Sequence, residues 1–333
     1  MKFKGTKWIY PWTAVLAVCA SALPSLYAAA GARGGSAVQV TTTVTASVDD
    51  GKRMPPISLQ DVVVRQGSDR LPVTEWVAAR GDRAGLELFI LIDDASDPRL
   101  GSHLGDLDDF IRRQPPSTAV GIGYMRNGAV QVAQDLTLDH ARAVRALRLP
   151  MGSPGAYGSP WLSVNSLMKR WPVSDNRREI VMLTDGVDRA GRNGRHLWQG
   201  LHLNPDVDSA SSVAQRTGTV IHTIYVPGAG RWHRSYWTAT SGQNDMTRLS
   251  AKTGGEAYYL GLADPVSLAP YLNRLDKALS NQYLLSFSAT SGKKPGLQAV
   301  RLNTELAGVR LAAPEAVWVP GEQQARNQLQ GRP

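Results

Sequence analysis

The sequence predicts an α/β fold: a doubly wound, mostly parallel sheet with one antiparallel edge strand, flanked by β-rich N- and C-terminal segments. Three observations predict it. Residues 88–97, LFILIDDASD, run apolar and then stop in three carboxylates and a serine, and residues 180–186, IVMLTDG, have the same shape. Strands covered on both faces read as unbroken Leu, Ile and Val, so both runs belong at the centre of a sheet. Between and beyond them, short apolar runs alternate with helix-length segments from residue 85 to residue 280, as a parallel sheet with helices on both faces requires.

Taken in order, residues 1–30 carry Lys2, Lys4 and Lys7, a short apolar stretch and then Ala28-Ala29-Ala30, the layout of a cleaved export signal. Pro24 breaks the stretch before it reaches the length of a membrane span. Cys19 is the only cysteine, and Val18 sits where a lipoprotein signal wants a small residue. An exported chain, whether periplasmic, cell-surface or extracellular, would therefore hold no disulfide and must rely on a packed core. The three leader lysines account for three of the nine net positive charges, leaving +6. Basic residues are interleaved with acidic ones, the pattern of a solvated surface rather than a nucleic-acid-binding one.

Residues 31–84 read as a short Gly-rich tether and then a β-rich segment, with period-two strands at 38–48, 62–64 and 73–77 and a turn at Gln66-Gly67-Ser68-Asp69. The α/β block, residues 85–280, opens with a strand at 86–92, a helix at 103–113 and a strand at 119–125. Asn127-Gly128 supplies the positive φ angles of a hairpin into 129–133, the antiparallel edge. A helix at 138–147 follows, with Asp139 at its start, and then a Gly/Pro-rich loop at 150–160. The next units are helix 161–170, strand 179–184, helix 209–216, strand 219–226, helix 243–252, strand 256–260 and helix 265–280. Residues 281–321 return to β signals, and neither flank is long enough to form a sandwich alone, so the two flanks are expected to pair with each other. Residues 322–333 read as a polar, disordered tail.

An apolar strand ending in clustered Asp and Ser, an Asn-Gly hairpin, a Gly-Ser-Pro loop and a later strand ending in Thr-Asp-Gly together resemble a von Willebrand factor A (vWA) domain of the secreted bacterial kind. The resemblance covers residues 86–280. It implies a Rossmann-like sheet and a metal-ion-dependent adhesion site, in which D-x-S-x-S, a hydroxyl from a second loop and an Asp from a third hold Mg²⁺. Here the set is degenerate. With Asp93 first, Ala95 and Asp97 replace the two serines; with Asp94 first, Ser96 fits but Pro98 does not. Asp93, Asp94, Ser96, Asp97, Ser159 and Asp185 remain as candidate ligands, with Mg²⁺ affinity or metal choice expected to differ from the family norm. Their alternative role is to cap helices and turns.

Two loops should project from the same sheet edge. Residues 187–204 carry Arg189, Arg192, Arg195, His196 and Trp198; residues 227–242 carry Arg231, Trp232, His233, Arg234, Tyr236 and Trp237. Trp, Tyr and Arg dominate binding hot spots, so Arg192, Arg195, Trp198, Arg231, Trp232, Arg234, Tyr236 and Trp237 are the candidate surface for a protein carboxylate or an anionic glycan. The histidine spacing fits no zinc signature, and His222 falls on a strand. There is no G-x-S-x-G, H-E-x-x-H, P-loop or dinucleotide fingerprint, and no catalytic residue is assigned. The expectation is a non-enzymatic adhesion-type protein. A metal-independent structural module of an envelope assembly and a metal-assisted hydrolase are the alternatives.

Overall fold

Alternation of Val with Thr shapes β1 (Ala37–Val48), whose Val38, Val40 and Val44 are buried. The computed structural model describes residues 37–49, 52–153, 158–189, 204–230, 235–259, 261 and 265–322. The expected export leader and all but the first residue of the polar tail lie outside these. Three short strands follow: β2 (Val62–Gln66), β3 (Asp69–Leu71) and β4 (Val73–Ala78). Gly67, at φ 61°, makes the turn between β2 and β3.

The α/β block then runs β5 (Leu86–Asp93), α1 (Leu104–Arg113), β6 (Thr118–Arg126), β7 (Ala129–Thr137), α2 (His140–Arg145) and α3 (Pro160–Arg170). It continues with β8 (Arg177–Thr184), α4 (Pro205–Thr217), β9 (Thr219–Tyr225), α5 (Tyr236–Thr253), β10 (Ala257–Tyr258) and α6 (Ala269–Ser280). Asn127 and Gly128 both have positive φ, as the expected hairpin needs. Helix α2 is shorter than predicted and is capped by Asp139, whose carboxylate accepts the Arg142 N–H at 3.0 Å. Helix α5 starts well before the predicted residue 243, because the Ser235 hydroxyl accepts the Thr238 N–H at 3.2 Å and nucleates an earlier turn. Tyr236 and Trp237, expected on a loop, therefore stand on the first turn of a helix.

The six strands lie in the order β10-β9-β8-β5-β6-β7, all parallel except β7. Counted along the chain from the β7 edge this is third, second, first, fourth, fifth, sixth, the doubly wound order. Leu88, Ile90 and Ile92 enter one helical layer with Phe110 of α1 and Leu272 of α6. Phe89 and Leu91 enter the other with Trp161 of α3, Val207 of α4 and Met246 of α5. Each fully buried aliphatic side chain contributes about 1.5–3 kcal/mol.

After α6 come β11 (Gln282–Thr290), β12 (Gly296–Ala299), β13 (Arg301–Thr304), β14 (Val309–Ala312) and β15 (Ala316–Val319). The two flanks do pair. One sheet runs β14-β1-β11-β4 and another β13-β2-β3, and both draw on a core that includes Val44, Val64, Leu285 and Phe287. A buried polar network ties this β layer to the α/β block. Gln282, at the start of β11, donates to Glu179 of β8 and, at 3.2 Å, to the Thr45 hydroxyl, while Arg177 donates to the side-chain amide oxygen of Gln282. Glu179 also pairs with His222 of β9 at 2.9 Å. The other ring nitrogen of His222 accepts the Glu256 N–H at 3.1 Å, so His222 serves packing and polar satisfaction rather than a metal. Among the described residues no helix is long and apolar enough to cross a membrane.

Candidate functional site

Adjacent parallel strands whose connections leave in opposite directions open a crevice at their carboxyl ends. Here those strands are β5 and β8, and the crevice receives Asp93 and Asp185. Successive residues of a strand point to opposite faces, so the neighbouring carboxylates of the Asp93-Asp94 pair are separated at once. Asp94 continues the Leu88-Ile90-Ile92 face and meets Arg148, whose guanidinium grips it through two hydrogen bonds of 2.7 and 2.9 Å. That guanidinium also lies 3.6 Å from the centroid of the Tyr124 ring. Asp94 is thus committed to a buried ion pair on the far side of the sheet from Asp93.

Asp93 faces the crevice. Its carboxylate accepts the Ala95 N–H at 2.9 Å and the Thr184 hydroxyl at 2.8 Å. Asp185 accepts the Val187 N–H at 3.0 Å. Between the two carboxylates lies the guanidinium of Arg189, which donates to Asp185, lies 3.9 Å from an Asp93 oxygen and donates to the Val187 carbonyl at 3.2 Å. The Arg189 backbone N–H bonds the Gly158 carbonyl at 2.8 Å, which fixes this loop against the Gly-Ser-Pro loop. Arg189 was readable only as one basic residue of a loop. A recognisable signal was its place four residues after Asp185 in T-D-G-V-D-R, close enough for the loop to fold back.

Burial, with the Asp185 charge beside it, raises the Asp93 pKa to about 6 against the pull of Arg189. Burial also raises Asp185, again opposed by Arg189. Asp245 on α5 is pushed to about 6, chiefly by burial. Native carboxyls with raised pKa hold protons that the unfolded chain has released, so unfolding free energy should fall as pH rises from about 4 through about 6. Asp93 alone accounts for up to about 3 kcal/mol of that fall. Urea unfolding across this range should show the decline, and Asp93→Asn should make it shallower; an unchanged slope would contradict the assignment.

Two of the other candidate ligands, Asp97 and Ser159, are engaged locally. Asp97 accepts from the Arg99 N–H at 3.0 Å and from its guanidinium at 2.9 Å. The Ser159 hydroxyl lies 3.4 Å from the Leu162 N–H and caps α3. Ser96 is buried, and its hydroxyl has no hydrogen-bond partner among the described residues. The loop that carries it is laced to the loop after β9 through Asp97 N–H to Pro227 O and Ala229 N–H to Ala95 O, both 2.9 Å. Beside Asp93, Ala95 and Ser159 is a recess of about 10 Å³, room for about one water.

Mg²⁺ demands six hard oxygens in near-octahedral array. The residues present do not fit it. Arg189 already pairs with both Asp93 and Asp185, Asp94 faces away, Ala95 offers no side-chain oxygen, and no group of three His, Cys, Asp or Glu among the described residues is arranged for a metal. What this site can do chemically is hold charge: a buried arginine clamped between two carboxylates.

The strand order, the antiparallel hairpin edge and the acidic loops at the switch point make this a doubly wound sheet of the vWA/Rossmann-like class. No family model matches the chain and no curated protein matches it. Solved structures similar to it include an aerotolerance-related membrane protein from Bacteroides fragilis, at 14% identity over 59% of this chain and 98% of that one, with TM-score 0.41. Others are the SpRpn10 VWA domain, at 14% over 58% and 96%, TM-score 0.35, and the ArnB paralog VWA2 from Sulfolobus acidocaldarius, at 10% over 87% and 78%, TM-score 0.36. These likenesses are distant, and the chain's own strand order is what fixes the fold.

The rim of the crevice carries two exposed aromatics. Gly186, at φ 70°, and Gly242 of α5 are in backbone contact, since a Cβ on Gly242 would lie 2.0 Å from the Asp185 carbonyl oxygen. That contact presses α5 against the acidic loop. One turn and a half earlier on the same helix, Tyr236 and Trp237 pack edge to face at 5.5 Å and remain 61% and 78% exposed. Arg192, Arg195, Trp198, Arg231, Trp232 and Arg234 lie outside the described residues.

Proposed function

We propose that this is an exported, non-enzymatic binding protein whose vWA domain holds a protein partner at the carboxyl edge of its sheet without a metal ion. The observation that carries this reading is the Arg189 guanidinium between Asp93 and Asp185, in the place where the family resemblance implies a cation. A metal-dependent site recruits a partner carboxylate through the ion's open positions; here the positive charge is supplied by the chain and is already paired with two carboxylates, with none left over for a partner. Recognition then falls to the rim, where Tyr236 and Trp237 offer apolar area with polar handles. A protein carboxylate or an anionic glycan suits that rim.

The test is twofold. Melting of the full chain should not shift between EDTA and millimolar Mg²⁺ or Mn²⁺, because a ligand that binds only the folded state would raise the transition. Affinity capture from envelope material should persist in EDTA and weaken at least about tenfold in Tyr236→Ala/Trp237→Ala, the size expected when two hot-spot aromatics are removed. Capture that requires a divalent metal would overturn the reading. Turnover lost in a folded Asp185→Ala variant would instead favour a hydrolase.

A further inference from the structure

The longest strand of the β layer has an open side. Ala46 N–H donates to the Asn281 carbonyl at 2.9 Å, and the same register pairs Val44, Thr42, Val40 and Val38 with Tyr283, Leu285, Phe287 and Ala289. In an antiparallel ladder consecutive residues direct their N–H and C=O groups to opposite sides. Gln39, Thr41 and Thr43 therefore direct theirs away from β11. Strand β14 takes that side only from Thr45 to Val48. It ends at Ala312, and Pro314, which has no N–H to give, follows as the chain turns away so that Glu315 N–H bonds the Lys252 carbonyl of α5 at 3.1 Å. Among the described residues no hydrogen bond reaches the outward main-chain groups of Gln39, Thr41 and Thr43.

Natural edge strands are guarded by charge, proline or a bulge. Residues 37–45, AVQVTTTVT, carry neither charge nor proline, and their register with β11 is unbroken. Alongside this edge runs a groove of about 640 Å³ between β1, β15 and the C-terminal end of α4. Its wall holds the Arg216 guanidinium, 4.6 Å from the centroid of the Trp318 ring. No acidic residue lines the groove, and no carboxylate among the described residues pairs with Arg216.

We propose that this edge accepts an extended segment of a partner protein, added as a strand beside β1 where β14 stops, with an acidic side chain of that segment placed on Arg216. Main-chain hydrogen bonds to Gln39, Thr41 and Thr43 supply affinity, and Arg216 with Trp318 supplies the preference for an acid, as strand addition generally divides the two tasks. The site lies in the β layer formed by the flanks, and it holds whether or not the vWA crevice binds a partner.

The experiment selects a displayed library of random linear peptides on the immobilised full chain and measures the winners against variants. Enriched peptides should alternate β-formers with at least one Asp or Glu, and should bind Gln39→Pro and Arg216→Glu at least about tenfold more weakly, the loss expected for one main-chain or charged hydrogen bond. Gln39→Ala keeps the backbone donor and should bind as the native chain does, which separates edge pairing from side-chain contact and from misfolding. Amide exchange gives the second readout. In the free chain the Val40, Thr42 and Val44 amides should be protected while those of Gln39 and Thr41 exchange fast, and peptide should protect the latter pair. Equal binding to Gln39→Pro, or failure to enrich any peptide, overturns the proposal. So does protection of Gln39 and Thr41 in the free chain: if it depends on concentration the occupant is a second copy, and if not it is the chain itself.

Discussion

Replacing Arg189 with alanine is expected to lower the unfolding free energy by about 3–5 kcal/mol near neutral pH, because breaking a buried ion pair leaves uncompensated charge. Asp93 and Asp185 are both buried, and Arg189 is the cation that offsets their desolvation. Without it both carboxyls hold their protons to higher pH. The variant should therefore lose stability over a wider upward range of pH than the native chain, and the gap between the two should shrink as pH falls to about 5. Urea unfolding at several pH values measures this directly. A second consequence concerns metal. Removing the guanidinium uncovers two buried carboxylates, so Arg189→Ala should acquire a rise in melting temperature with millimolar Mg²⁺ or Mn²⁺ that the native chain lacks. A loss under about 1 kcal/mol with no metal response would mean that Arg189 is a peripheral salt bridge of the ordinary surface kind.

Glu179→Ala should cost a comparable amount, about 3–5 kcal/mol, through an unrelated mechanism: it strands several buried polar groups at once. Glu179, His222 and Gln282 are each essentially inaccessible to water, and the carboxylate accepts from both neighbours. Burial pushes the Arg177 pKa down while the Glu179 charge opposes that shift, so Arg177 loses its counter-charge as well. Since Gln282 begins β11, the damage should reach the β layer. Two-probe unfolding, following Trp76 stacked on Tyr283 at 4.4 Å as a reporter of that layer and far-UV signal for the helices, should split into two transitions in Glu179→Ala and remain one in the native chain. Glu179→Gln, which keeps an acceptor, should recover much of the loss. Coincident transitions in Glu179→Ala would show that the hydrophobic contacts alone couple the two parts.

These two residues mark where sequence reasoning stopped. Residues 88–92 and 180–184 announced buried parallel strands because their apolar runs have no polar alternation, and Asn127-Gly128 announced the edge hairpin because few other dipeptides accept two positive φ angles. Glu179 stands at the head of a buried strand, and nothing in its neighbours says that Gln282, 103 residues away, will meet it. The start of α5 was missed for a local reason: Ser235 caps the helix within a segment whose Trp, Tyr and Arg content reads as a binding loop.

The candidate site shows the same division. That acids would gather at the carboxyl edge of the sheet followed from the sequence, because strand order and hydrophobic pattern are local properties that repeat along the chain. Which acid would face the crevice did not, since the two possible registers at Asp93 and Asp94 are equivalent on paper. The pleat decided it: β5 sends odd residues toward α3, α4 and α5 and even residues toward α1 and α6, so Asp93 joins Asp185 and Asp94 goes to Arg148. The occupant of the crevice was likewise invisible in one dimension. By itself the sequence determined the order and class of the elements and the edge where charge collects; only the tertiary structure decided that an arginine from the chain sits between the carboxylates, because a buried charge takes its partner from whatever the folded loops bring within reach.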